Sequence, residues 1–388
     1  MSNIYYAPTK LYIDYGEENV GKLIKDLGYK NILFIYGKGS IKKNGLYDKV
    51  IQSLKANELN IIEESGVEPN PKVEFVRNVL KKNYAIDFIL AVGGGSVIDS
   101  AKSIAVTYNT FNDPWDFNSK KAIPSKALPI GVILTISAAG SEMSNSCVIS
   151  NLELKVKNGF NSDLVRPKFA IMNPKNTYSV SKYQTACGVV DIMMHTLERF
   201  ITKYDVDLVD NFCIGLLKTV YKYGLIAYNE PNNYEARKEL MLASSFSHNG
   251  LMEMSRPMCF RCHQFEHVIS AFHDEVSHGA GLAVVWLAYS KYIYKNEIAL
   301  PKFLRLAYEV FMIPKTNDPY KDAYDGILKL EDFFKALNMP TRLNDLGIKL
   351  EELEELSLAV SWNKTRVIED VIPLTYNEMK DIYKLMYE

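Results

Sequence analysis

The sequence predicts an α/β unit with a Rossmann-like parallel sheet over residues 1–180, followed by an all-α unit over residues 181–388. Three observations predict this division. Up to about residue 175, short apolar runs alternate with amphipathic stretches at the spacing of βαβ units. Beyond residue 182, long segments carry helical periodicity and few β-branched runs. The 388 residues suit two or three domains at roughly 150 residues each.

Taken in order, Ile4 to Tyr15 alternates apolar and polar residues, as expected of an antiparallel hairpin or an exposed edge strand. Asn31 to Tyr36 (NILFIY) reads as a buried strand, Gly45 to Lys55 as a helix and Asn60 to Glu64 as a strand. Val73 to Lys82 is again helical, and Phe88 to Val92 (FILAV) is again a strand. Gly93, Gly94, Gly95 and Ser96 then turn the chain into a helix over Val97 to Val106. In the second half, helices are expected over Thr185 to Thr202, Leu208 to Tyr221, Tyr234 to Gly250, Gly279 to Tyr294 and Leu328 to Leu337. Pro314, Pro319 and Pro340 are expected in loops. With no flexible linker near residue 180, the boundary is expected to be a packed cleft.

Composition narrows the function. Hydrophobic residues at 47% and charged residues at 23% exclude a disordered or fibrous chain. Lys and Arg number 45 against 46 Asp and Glu, a net charge of −1, so no global field draws nucleic acid or an anionic membrane. A small-molecule partner is expected instead. The five cysteines are odd in number and sparse, which points to reduced thiols. The N-terminus shows no basic stretch followed by an apolar one, and no run of 18 apolar residues occurs, so a cytoplasmic location is expected.

Two features carry chemistry. The Gly93–Ser96 turn, between a strand and a helix, lets backbone amides and a helix N-terminus meet a phosphate or pyrophosphate. A second loop, Gly37-Lys38-Gly39-Ser40 with Lys42 and Lys43 nearby, lacks the acidic residue that holds a ribose 2′-hydroxyl; this favours NADP(H) over NAD(H). The other feature is the placement of the six histidines, all between His195 and His278. Asp191 and His195 share a helix face at i, i+4, His263 and His267 repeat that spacing, and His273 and His278 follow. One carboxylate with three imidazoles suits Fe(II), Zn(II) or another divalent transition metal, not calcium or magnesium. The Cys259-x-x-Cys262 pair, without a second such pair, is read as incidental.

The runs GGGSVIDSAKSIA (93–105), AAGSE (138–142), GVVDIMMH (188–195) and HQFEHVISAFHDEVSHGAGLA (263–283) resemble the iron-containing alcohol dehydrogenase family, and within it the NADPH-dependent butanol dehydrogenase-like members. The resemblance implies a dinucleotide-binding α/β domain, a helical metal-binding domain and a homodimer. It implies Asp191, His195, His263 and His278 as ligands of Fe(II), or of zinc in its place, with His267 lining the site as a proton relay. Gly94, Gly95, Ser96 and Asp99 would meet the pyrophosphate and nicotinamide side of the cofactor. Thr135 and Ser141 would make adenosine and phosphate contacts, Lys157 or alternatively Lys155 would reach the cofactor, and Gly37, Gly39 and Ser40 would surround the adenosine ribose. The implied reaction is hydride transfer between NADP(H) and a primary alcohol or aldehyde such as butanol or butanal. A zinc-dependent polyol dehydrogenase resembling glycerol dehydrogenase is the alternative, and a metal-dependent phosphohydrolase a more distant one.

Overall fold

The computed structural model describes residues 4–257 and 260–388. The chain folds as two compact units, one of Tyr6–Val180 with Pro231–Asn249, the other of Ser181–Glu230 and Gly250–Glu388 together with residues 4–5. The strands, all in the first unit, are β1 (Lys10–Ile13), β2 (Asn31–Gly37), β3 (Asn60–Val67), β4 (Phe88–Gly93), β5 (Ile130–Leu134), β6 (Ser146–Asn151), β7 (Val156–Asn161) and β8 (Phe169–Met172). Six of them form a wholly parallel sheet in the order β1-β8-β5-β4-β2-β3, and β6 with β7 makes a separate antiparallel hairpin. Ile4 to Tyr15 therefore supplies an edge strand parallel to β8, not an antiparallel hairpin.

Connecting helices are α1 (Val20–Asp26), α2 (Ser40–Lys43), α3 (Leu46–Ala56), α4 (Val73–Lys81), α5 (Gly95–Thr107) and α6 (Pro114–Asn118). The sheet is covered on both faces, which is why its central strands read as continuous apolar runs. Alternate residues divide between two cores. Leu33, Ile35, Ile89 and Ala91 join Val76 and Ile98 on one side, while Ile32, Phe34, Leu90 and Val92 join Ile24 and Val50 on the other. From β2 the chain steps outward to β3, then returns to place β4 on the opposite flank of β2. The carboxyl ends of β2 and β4 thus border the crevice where strand order reverses, the place where open α/β sheets bind ligands.

The remaining helices are α7 (Lys182–Phe200), α8 (Asp207–Asn229), α9 (Tyr234–Ser247), α10 (Arg261–Phe272), α11 (His278–Ile293), α12 (Leu300–Arg305), α13 (Pro319–Ala336), α14 (Leu353–Val360) and α15 (Tyr376–Tyr387). α9 belongs to the first unit because the loop after β5 requires it. Ser244 Oγ accepts from the amides of Ala138 and Gly140 at 3.1 and 3.2 Å, and Gly140, at φ 64°, leaves no room for a Cβ beside the Ser244 carbonyl. In the second unit α11 is buried along most of its length. Its start abuts α7 so closely that a Cβ on Gly279 would lie 2.2 Å from the Cys187 carbonyl oxygen. Pro319, expected in a loop, instead opens α13 as its first residue, with the Asp318 carboxylate capping the amides of Tyr320 and Lys321. Among the described residues no helix is long and apolar enough to cross a membrane.

Candidate active site

Asp191 and His195 project from α7, His263 and His267 from α10, and His278 begins α11. The close crossing at Gly279 brings the α11 terminus to the turn of α7 that precedes Asp191. Asp191 Oδ1 lies 3.5 Å from His195 Nδ1, 3.7 Å from His263 Nε2 and 3.8 Å from His278 Nε2. Donors about 2.1 Å from the centre of a tetrahedron are separated by about 3.4 Å; Asp191, His195 and His263 offer donor atoms that all lie within 4.8 Å of one another, and His278 Nε2 approaches the same Asp191 oxygen. Asp191 Oδ1 and His263 Nε2 are buried without a hydrogen-bond partner, a costly state that a divalent cation between them would relieve. The donors present fit a nitrogen-rich transition-metal site. His267 stands beside the cluster, half-buried, its ring 6.3 Å from that of His263 and 5.7 Å from that of His278.

Two residues that the sequence reading missed support the imidazoles from behind. Glu198 Oε2 meets His263 Nδ1, and Glu266 Oε2 meets His278 Nδ1; both glutamates are 0% exposed. Such a carboxylate fixes the ring orientation, leaves Nε2 to the metal and raises the basicity of the ligand. Burial works against a charged His263, but the carboxylates of Glu198 and Asp191 outweigh it and raise its pKa to about 9. Glu266, His267 and His278 form a second convergent group, but the Glu266 oxygens are engaged by Ser270 and by His278 Nδ1. The available signal was spacing: Glu198 lies three residues after His195 and Glu266 three after His263, on stretches otherwise buried. His273 pairs with Glu352 at 2.9 Å, and His248 Nε2 lies 3.3 Å from Ser146 Oγ in the first unit. Cys147, Cys187, Cys213 and Cys262 are buried and form no disulfide among the described residues, and burial pushes the thiols of Cys187 and Cys213 up to about 12. Cys259, and with it the Cys259-x-x-Cys262 pair, lies outside the described residues.

In the first unit the expected cofactor residues gather at the carboxyl edge of the sheet. Gly94 caps α5, accepting from the amides of Val97 and Ile98 on its carbonyl. Gly94 is demanded by packing, since a Cβ would stand 2.1 Å from Ile136 Cγ2, and Gly95 is favoured, since a Cβ there would stand a tight 3.1 Å from Ala139 Cβ. Gly95 and Ser96 are half-exposed in the first turn of α5, and Thr135 follows β5 with its amide on the Gly93 carbonyl at 3.1 Å. Gly37 ends β2, Gly39 turns the chain at φ 116°, and Ser40 starts α2.

Asp99 and Ser141 are differently employed. Ser141 Oγ donates to Asp99 at 2.5 Å, Asp99 also accepts from the Val148 amide, and the Lys102 ammonium donates to Ser141 Oγ and to the carbonyls of Ser144 and Ser146 at 2.9, 3.0 and 2.7 Å. Lys102 is 0% exposed; burial lowers its pKa and Asp99 opposes that. This network ties the loop after β5 to α5. Of the two lysine candidates, Lys157 is the buried one, with Nζ 3.1 Å from Asn70 Oδ1, whereas Lys155 is exposed on the β6–β7 turn at φ 50°. The loop after β3 contributes Asn70 here and Glu68 to Lys38, at 2.6 Å, two contacts that strand-by-strand reading could not anticipate.

A Rossmann-like unit with an anion-cradling turn, joined to a helical unit with a carboxylate–imidazole cluster, has the parts of a metal-dependent dehydrogenase. Residues 8–174 match the family model described as iron-containing alcohol dehydrogenase, and residues 185–387 match that for the C-terminal part of the same family. The chain belongs to the iron-containing alcohol dehydrogenase family. It is 38% identical to NADH-dependent butanol dehydrogenase A of Clostridium acetobutylicum, over 99% of both chains. It is 35% identical to NADPH-dependent aldehyde reductase YqhD of Escherichia coli, over 90% of this chain and 92% of that one. The crystal structure of NADH-dependent butanol dehydrogenase A from Thermotoga maritima superposes with a TM-score of 0.94 at 34% identity, covering 100% of this chain and 99% of the other.

Proposed function

We propose that this protein reduces aldehydes to primary alcohols, and runs the reverse oxidation, using a nicotinamide dinucleotide and one divalent metal held by Asp191, His195, His263 and His278. The balanced reaction is RCHO + NAD(P)H + H⁺ → RCH₂OH + NAD(P)⁺. The observation that carries this reading is the approach of three imidazole nitrogens to within 3.8 Å of one Asp191 oxygen, two of the rings held by fully buried glutamates. When bound, the metal polarises the carbonyl oxygen and the dihydronicotinamide supplies hydride to the carbon. Glu198 and Glu266 hold the ring planes of His263 and His278 against rotation. His267, beside the donors and partly open, delivers the proton to the product oxygen. Gly94, Gly95 and Ser96 receive the pyrophosphate at the start of α5, and Gly37, Gly39 and Ser40 receive the adenosine ribose. Lys157 and Thr135 reach the cofactor from the same edge, while Asp99 and Ser141 act through the Lys102 network.

We read NADH as the preferred cofactor. The basic loop that suggested NADP(H) has its Lys38 ammonium on Glu68 at 2.6 Å, so a 2′-phosphate would compete with that carboxylate. The Clostridium and Thermotoga relatives, named as NADH-dependent, support this reading, and the E. coli relative, named as NADPH-dependent, supports the opposite one. The protein loaded with Fe(II) or Zn(II) is expected to oxidise NADH, and NADPH more slowly, when given butanal. No cofactor oxidation with either metal across a panel of aldehydes would refute the assignment. The outer edge of β1 is proposed to pair with a second copy in a homodimer, which a monomer mass in sedimentation would refute.

A further inference from the structure

The segment after α14 is laid along α10. Asp370 pairs with Arg261 at 2.6 Å, both side chains almost wholly buried, and Arg366 donates through Nη2 to Gln264 Oε1. These contacts fix the segment at two points one turn apart on the helix that carries His263 and His267. The chain reaches this path through Trp362, Asn363 and Lys364, three successive left-handed residues with φ of 49°, 54° and 69°. Non-glycine residues rarely adopt that conformation, and the tertiary contacts of the segment hold it in place. Gln264 precedes His267 by three positions and shares with it the half-exposed face of α10, so the amide that Arg366 holds stands one helical turn from His267.

Arg366 differs in one respect from the buried arginines around it. Arg261 is matched by Asp370, Arg256 by Asp210 and Arg199 by Glu253. Among the described residues the Arg366 guanidinium, half-buried, has a neutral amide and the Trp362 ring, 4.5 Å away, as its side-chain partners; burial pulls its pKa down, with no carboxylate among those residues to offset it. Asp370, on the same segment, is committed to Arg261 and Tyr289. A half-buried guanidinium without an acid, holding an amide one turn from His267, is suited to a planar anion arriving with a ligand, since its remaining N–H donors match a carboxylate as a fork.

We infer that Arg366, with the Gln264 amide, is an anion-recognition subsite, and that the preferred substrates are short aldehydes carrying a carboxylate at the end remote from the carbonyl. This rests on the aldehyde-reductase reading above. The test compares succinate semialdehyde with butanal, four-carbon aldehydes that differ in a terminal carboxylate against a methyl group. The wild type is expected to show a kcat/KM for the semialdehyde at least about tenfold above that for butanal. Arg366→Gln is expected to raise KM for the semialdehyde by about tenfold to a hundredfold, and at least about tenfold more than for butanal, with Arg366→Lys partly restoring it. Equal losses on both aldehydes, or no wild-type preference, would overturn the inference.

A second readout does not depend on turnover. Of the three tryptophans, Trp362 is 60% exposed and stacks on Arg366, while Trp115 and Trp286 are buried. Adding 4-hydroxybutyrate is expected to change tryptophan emission saturably in the wild type and not in Arg366→Gln, whereas butanol leaves both unchanged. A wild type that reduces neither aldehyde but shows this titration would defeat the proposed reaction and keep the anion subsite. A titration that is flat, or identical in the variant, would defeat the subsite.

Discussion

The proposed metal cluster in the helical unit and the proposed nucleotide edge of the sheet are built on opposite terms. The cluster is made of side chains: Asp191, His195, His263 and His278 are the proposed donors, and buried Glu198 and Glu266 hold two of them. The nucleotide edge is made of backbone and of the absence of side chains: Gly94 lets α5 begin where Ile136 leaves no room for a Cβ, and Gly95 where Ala139 leaves little. One site should therefore fail when a charge or lone pair is removed, and the other when an atom is added.

The largest expected effect is at the cluster. Asp191→Asn is expected to lower kcat/KM by about a thousandfold or more, because metal activation of a carbonyl is worth several kcal/mol, and to bring metal content by elemental analysis to background. Dinucleotide binding by calorimetry should survive, and its loss would break the contrast. Next is Lys102→Met, which leaves the Ser144 and Ser146 carbonyls without a donor and Asp99 without its cation. It is expected to cost about 3 kcal/mol of stability in denaturant unfolding, at normal metal content.

Gly94→Ala adds one methyl group against Ile136, whose β-branch cannot swing aside. The variant is expected to weaken dinucleotide binding by about tenfold to a hundredfold, as overpacking does, without loss of metal. Glu198→Gln is the mirror case, expected to weaken metal binding in a chelator competition by about tenfold to a hundredfold while dinucleotide affinity stays. The smallest effect is at Glu68→Gln, which frees Lys38 and is expected to move the NADPH to NADH ratio of kcat/KM by about tenfold toward NADPH. An unchanged ratio would remove Glu68 from cofactor choice.

The difference between the two sites also explains what could be read in advance. The grouping of Asp191, His195, His263 and His278 around one carboxylate oxygen was legible because rare residue types at helical spacing survive in one dimension, and their role as metal ligands is a proposal. β2 and β4 were legible because a sheet covered on both faces needs unbroken apolar strands at its centre. Glu198 and Glu266 were passed over because a glutamate inside a helix is ordinarily a solvated residue, and only the folded chain shows these two to be fully buried. Pro319 misled because a proline that breaks a helix and one that starts a helix look alike until the Asp318 cap is seen.

What the sequence determined by itself was the α/β then α order, the strand-turn-helix at Gly93–Ser96 and the donor types of the metal cluster, all set by local periodicity and residue chemistry. What the tertiary structure decided was partnership: Glu198 behind His263, Lys102 under Ser141, α9 against Gly140, Glu68 on Lys38 and Arg366 on Gln264. Each of these joins residues dozens to more than a hundred positions apart. Whether a charge there is neutralised, buried or left open depends on what packs beside it, which no local pattern along the chain encodes.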